Sequence, residues 1–269
     1  MSGPQRDLRV TLVQGDTRWH DPAGNRAYYA DLALPHAGRT DLIVLPETFT
    51  SGFSNEALQR AEGMDGPSVA WMRELAAQCG AVVTGSLQCR VDDRVFNRMI
   101  WAQPDGGIEH YDKRHLFRMA GEHTRYAAGD AAITVSLHGW RIRPLVCYDL
   151  RFPVFVRNRF GMLEDGRFDY DLLIFVANWP AARRHAWRTL LQARAIENLS
   201  YCVGVNRAGE DGNGIAYSGD SAALDMLGQP LVECGAPAQV VDITLSASAL
   251  VTHRERFPAH LDADAFECR

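Results

Sequence analysis

The chain has 269 residues, 46% hydrophobic and 23% charged, ordinary globular values that exclude disordered and fibrous classes. Its 28 Lys and Arg against 33 Asp and Glu leave a net charge of −5 with no long basic tract, so nucleic acid is not an expected partner. The longest apolar stretches, such as LLIFVA at 172–177, are far short of a membrane span, and the start MSGPQRDLRV lacks an apolar signal segment; together these predict a cytoplasmic protein with no membrane contact.

Taken in order, Leu8–Gln14 reads as a first buried strand and Pro22–His36 as a helix. The apolar run Asp41–Pro46 ends at an acid, Glu47. Glu56–Arg60 and Ser68–Cys79 have helical periodicity, with Gly80 as a stop. Ala81–Gln88 and Phe96–Ala102 read as strands, and PDGG at 104–107 as a turn before Ile108–Asp112. A long polar stretch from Tyr111 to Asp130 is a candidate functional loop. Ile133–Leu137 and Ile142–Cys147 form a strand pair, Pro153–Phe160 a helix, Tyr170–Ala177 an apolar strand and Arg183–Ser200 the clearest helix. Tyr201–Val205, Ile215–Leu227 and Gln239–Ile243 complete the strands, with a short helix after Ala247. Helices alternate with strands, yet several strands are adjacent. That mixture fits two mixed sheets packed as a sandwich with helices outside. No linker or repeat interrupts the chain, so residues 1–269 read as one domain.

Three strand-end residues have the chemistry for acyl transfer: Glu47, Lys113 and Cys147. Cys147 ends an apolar run and is followed by Tyr148, Asp149, Arg151 and Pro153, a strand-to-turn setting that suits a nucleophile. If the three converge, Lys113 would lower the thiol pKa and make Cys147 the most reactive of six cysteines. Glu47 would shuttle the proton. Lys113 and the Tyr148 N–H would hold an oxyanion. Each residue also has a plain reading, as a solvated strand end, a surface charge or a packed thiol, and spacing alone does not bring them together. The scattered cysteines fit reduced thiols, and the histidines, including His110 and His115 in the loop, show no zinc spacing; no metal is expected.

LPETFTSGF at 45–53, YDKRHLF at 111–117 and LVCYDLRFP at 145–153 closely resemble the three signature blocks of the nitrilase superfamily, the carbon–nitrogen hydrolases. NWP at 178–180, RAIEN at 194–198 and YSGDS at 217–221 extend the likeness. The resemblance implies an α/β fold, a four-layer α-β-β-α sandwich that commonly forms homodimers through its helical faces. It also implies Glu47 as general base, Lys113 as oxyanion lysine, Cys147 as nucleophile and Glu122 as a second glutamate near the lysine, with no cofactor. HLFRMAGEHTRYAAGD and FPAHLDADAF look most like the omega-amidase branch, whose substrates are small 2-oxo or dicarboxylic acid monoamides such as 2-oxoglutaramate. Deaminated-glutathione amidase, N-carbamoyl-amide hydrolase, nitrilase and a silent binding module are the alternatives. A substrate carboxylate calls for a cation, for which Arg151, Arg183 and Arg184 are candidates. For Arg151 an internal ion pair with Asp149 is the competing reading. Phe117, Met119 and Trp179 are candidates for an apolar wall, although such residues more often belong to the core.

Overall fold

The computed structural model describes residues 3–162 and 166–264. In chain order it contains β1 (Leu8–Gln14), α1 (Pro22–Ala33), β2 (Leu42–Val44), α2 (Pro67–Cys79), β3 (Val82–Val91), β4 (Arg94–Ala102) and β5 (Ile108–Asp112). There follow β6 (Val135–Leu137), β7 (Trp140–Val146), α3 (Pro153–Val156), β8 (Leu172–Ala177), α4 (Arg184–Asn198) and β9 (Tyr201–Asn206). The chain continues with β10 (Ala208–Glu210), β11 (Ala216–Ser218), β12 (Ala222–Leu224), β13 (Pro230–Glu233), β14 (Gln239–Leu245) and α5 (Ala247–Arg256). Two six-stranded sheets result, in the orders β14-β1-β2-β3-β4-β5 and β13-β12-β9-β8-β7-β6, with β10 and β11 as a separate hairpin. The centre of each sheet is parallel (β1, β2, β3 and β7, β8, β9), and the flanking strands run antiparallel. Both sheets are therefore mixed, as adjacent strand patterns among helices predicted.

Side-chain alternation sorts the layers. On β2, Leu42 and Val44 enter the core shared with Ile142, Leu172 and Ile174 of the second sheet, whereas Ile43 packs with Tyr29, Val69 and Met72 of α1 and α2. On the opposite face α4 buries Trp187, Leu191 and Ala195, spaced four apart, against the second sheet. The close approach requires Gly204 on β9: a Cβ there would stand 2.6 Å from Leu191 and 2.8 Å from Trp187. Helices cover both outer faces, so the α-β-β-α sandwich is the observed architecture.

Local expectations differ in a few places. The helix expected over Pro153–Phe160 stops at Val156, because buried Asn158 turns away to bond with α4 and the start of β8. Its N–H donates to Asn198 Oδ1, and its Nδ2 donates to the carbonyls of Tyr170 and Asn198. Ile215–Leu227 is two short strands, not one, since Gly219 and Asp220 take consecutive left-handed conformations (φ +61° and +56°). Glu56–Arg60 is a 3-10 turn, and His110 lies on β5 instead of in a loop. No helix among the described residues is long and apolar enough to cross a membrane.

Candidate active site

Strand ends deliver the chemistry. Glu47 follows β2, Lys113 follows β5, Cys147 follows β7 and Asn178 follows β8. Cys147 itself adopts φ +45°, a left-handed conformation that strains a non-glycine residue by about 1–3 kcal/mol. The surrounding fold holds that strain. A 3-10 turn, Cys147–Arg151, begins at the thiol, and Arg194 on α4 donates Nε and Nη2 to the Leu150 carbonyl at 3.0 and 2.6 Å. The turn replaces a free strand end with a rigid corner that presents the half-buried sulfur.

Beside the thiol lies a buried cluster of two carboxyl groups and one amine. Lys113 Nζ donates to Glu47 Oε1 at 2.9 Å and to both oxygens of Glu122 at 3.0 Å, and all three side chains are at most 1% exposed. Glu47 is further held by Asn97 Nδ2 on Oε1 and by the Asn178 N–H on Oε2, both at 2.7 Å. Asn178 Nδ2 also donates to the Glu47 carbonyl. Glu122 accepts from the Phe117 N–H at 2.6 Å, which ties the loop after Lys113 back onto its own lysine. Glu122 is therefore a buried partner of Lys113 and not a solvated loop carboxylate.

These contacts reverse one expectation. The Cys147 thiol is pushed well above its ordinary range, first by burial and then by the Glu47 charge, which together outweigh Lys113. Burial and Glu47 thus favour the neutral thiol over the thiolate. One amine faces two acids, so its help to the sulfur is already divided. Burial alone would lower the Lys113 pKa, but Glu122 and Glu47 raise it well above the usual lysine range and keep the ammonium charged. Burial raises the Glu122 carboxyl; Lys113 opposes the rise and Glu47 adds to it.

Glu47, Lys113 and Cys147 open onto one cavity of about 400 Å³, lined also by Trp19, Phe53, Asn55, Phe117, Asn178, Arg183 and Tyr217. The arginine candidates separate cleanly. Arg183 lines the cavity with its guanidinium 5.2 Å from the Phe117 ring centre. Arg184 is exposed and paired with Asp220 at 2.7 Å. Arg151 stacks on Trp179 at 4.9 Å; it does not line the cavity, and both Asp149 oxygens are bonded to other partners. Two of the three wall candidates also sit elsewhere: Met119 is 81% exposed, and Trp179 is buried in the core with its indole N–H on the Arg183 carbonyl. Tyr148 packs its ring between Phe117 and Phe152, which leaves its backbone at the first step beyond the nucleophile. Among the described residues no group of three or more His, Cys, Asp or Glu is arranged to hold a metal. Sequence reasoning missed Asn97, an interior residue of β4, and Arg125, which enters the cavity from the polar loop. It passed over Asn178 in favour of its neighbour Trp179. It also missed the hairpin residues Asp211, Asn213, Ile215 and Tyr217, which close one side.

Comparison with known proteins identifies the family. The carbon–nitrogen hydrolase family model matches residues 9–252. The chain is 46% identical to the Escherichia coli omega-amidase YafV over 96% of its own length and 98% of that protein. It is 32% identical to the 2-oxoglutaramate amidase of Bacillus subtilis over 94% of this chain and 96% of the relative. Among solved structures, XC1258 from Xanthomonas campestris, a CN-hydrolase superfamily protein with an arsenic adduct in its active site, superposes with a TM-score of 0.97 at 61% identity. That match covers 98% of this chain and all of the other. With its strand-end acid, amine and thiol around one cavity, the chain belongs to the carbon–nitrogen hydrolase family, within the nitrilase superfamily.

Proposed function

We propose that the protein is an omega-amidase that hydrolyses the terminal carboxamide of a small 2-oxo acid or dicarboxylic acid monoamide through a cysteine thioester. The observation that carries this reading is the single cavity shared by Cys147, Glu47, Lys113 and Arg183. Cys147 Sγ attacks the amide carbon while its proton passes to Glu47. The oxyanion is held by the Lys113 ammonium and the Tyr148 N–H, with Glu122 orienting the lysine. The C–N bond breaks as Glu47 returns the proton to nitrogen, and ammonia leaves a thioester. Water then gives a proton to Glu47 and attacks the acyl carbon; the C–S bond breaks and sulfur is reprotonated. Arg183 holds the distal carboxylate, with Phe117 beneath the short carbon chain and Arg125 as a second cation at the rim. Among the described residues neither arginine is ion-paired. The catalytic machinery needs no cofactor and lies in one domain.

Ammonia release from 2-oxoglutaramate, glutaramate, deaminated glutathione and an N-carbamoyl amine tests the reading, with Cys147→Ala as blank. The expected order puts 2-oxoglutaramate first, and Arg183→Leu raises its KM roughly tenfold or more, as loss of a charge-assisted bond predicts. Preference for deaminated glutathione or the N-carbamoyl compound would reassign the substrate. Equal release by enzyme and blank would remove the enzyme reading.

We also infer a cytoplasmic homodimer. Free Cys79, Cys89, Cys202 and Cys234 suit a reducing compartment, and an apolar face with Ile196 50% and Phe257 59% exposed suits a second copy. Sedimentation at the mass of one chain would overturn the dimer.

A further inference from the structure

We propose that Asp149 is a positioning residue that holds Lys113 in register with Cys147, a role that rests on the amidase reading of the site. Asp149 stands two residues beyond the nucleophile and is fully buried. None of the steps above uses it. Its two oxygens divide the site between them. Oδ2 accepts from the N–H of Val146, the residue before the thiol, at 3.1 Å and from the Tyr111 hydroxyl at 2.8 Å. Oδ1 accepts from the His115 N–H at 3.0 Å and from His115 Nδ1 at 2.7 Å. Facing a carboxyl oxygen, the His115 ring is placed to donate from Nδ1.

Tyr111 and His115 lie two residues before and two after Lys113. One carboxylate thus grips the lysine segment on both sides and the nucleophile segment at its last strand residue. The Tyr111 hydroxyl extends the grip, since it accepts from the Arg114 N–H at 3.0 Å while donating to Asp149. Burial and the neighbouring Asp149 charge push the Tyr111 phenol well above its ordinary range, which keeps it a donor. The His115 ring is further fixed by stacking on Phe152 at 3.8 Å, just beyond the 3-10 turn that starts at Cys147.

β5 and β7 belong to different sheets, and among the described residues no backbone ladder fixes one relative to the other. The separation of ammonium and sulfur must come from side chains across the sandwich. Asp149 is a buried group that touches both segments. Displacement by about an ångström at such a junction can lower turnover on the order of 100-fold.

The test is Asp149→Asn, Tyr111→Phe, His115→Leu and His115→Asn, each checked for folding by circular dichroism and thermal melt. Two rates per folded molecule are then measured: amide turnover, and alkylation of Cys147 by iodoacetamide followed by peptide mass. Asp149→Asn is expected to lower kcat on the order of 100-fold with KM within about threefold. It should slow alkylation roughly tenfold, as a one-unit change in thiol ionisation would. His115→Asn, which places an amide N–H near the Nδ1 position, is expected to keep most activity that His115→Leu loses. Lowered melting temperature with both rates unchanged per folded molecule overturns the proposal and leaves Asp149 a purely structural residue. Alkylation does not depend on substrate identity. Slowed alkylation therefore supports the brace even where the chosen amides prove wrong, and unchanged alkylation sinks it even where they prove right. If Asp149→Asn fails to fold, Tyr111→Phe and the His115 pair decide the question by the same two rates.

Discussion

Glu47→Gln is expected to lower amide turnover by a factor on the order of 10³ or more, approaching the loss in Cys147→Ala, because removing one member of a catalytic unit removes nearly all of its effect. The cause is the state of the thiol. Burial and the Glu47 carboxylate favour the neutral Cys147 thiol, so attack calls for a base at the moment of reaction. The substituted amide has one acceptor oxygen in place of two, so it keeps the bond from either Asn97 Nδ2 or the Asn178 N–H but not both, and it could not take the proton. The same change would have an opposite effect on the free enzyme. With one negative charge removed from beside the sulfur and Lys113 still present, the thiolate becomes easier to form. The thiolate ultraviolet absorbance assigned to Cys147, by difference from Cys147→Ala, should appear at lower pH in Glu47→Gln than in the unmodified enzyme. A variant with poorer catalysis and a more acidic nucleophile would separate base catalysis from simple thiolate activation. An unchanged titration accompanied by unchanged turnover would refute the role given to Glu47.

Lys113→Met is expected to be the most destabilising single substitution at the site. It leaves Glu47 and Glu122 buried together without the ammonium that stands 2.9 and 3.0 Å from them. Breaking a buried pair by removing one partner costs about 3–5 kcal/mol, and each kcal/mol lowers Tm by roughly 2–4 °C in a chain of this size. The loss should depend on pH in a definite direction. Glu122 already has a folded-state pKa above its ordinary 4.5, owing first to burial, and removal of Lys113 raises it further. A group of that kind contributes stability fully below its unfolded pKa and loses it as pH rises through the folded value. The deficit of Lys113→Met should therefore be smallest in acid and grow as pH climbs above 4.5. In the unmodified enzyme the raised Lys113 pKa contributes stability that persists below 10.5 and is lost only as pH rises through the higher folded value. Thermal melts of both proteins across pH check this, and a deficit that stays flat would contradict the cluster's electrostatics.

The position of the site was legible because strand ends announce themselves. An apolar run that stops at Glu47, at Cys147 or before Lys113 marks where buried backbone meets a polar rim, and those three residues do share a cavity. The acidity of the thiol was not legible. Its sign depends on how many carboxyl groups surround one ammonium, and the second, Glu122, joins through a loop closure that spacing does not reveal. Asn97 was hidden for a different reason: on β4 it sits among Phe96, Met99 and Ile100, where alternation predicts packing and gives no cue that one polar residue touches Glu47 fifty positions away. Arg151 is a candidate in the sequence because it lies four residues after the nucleophile. The 3-10 turn after Cys147 instead sends it toward Trp179. The helix expected after Pro153 failed where buried Asn158 found better partners outside its own segment. In each case long-range contacts outweighed local pattern.

Two acids around one amine also bear on how the reaction ends. On the proposed mechanism ammonia departs uncharged, whereas the second product is born as an anion next to the Glu47 carboxyl group. Like charges repel strongly where water is scarce. The neutral amide meets no such repulsion, so on that mechanism the contact of the new carboxylate with Glu47 favours release over reversal.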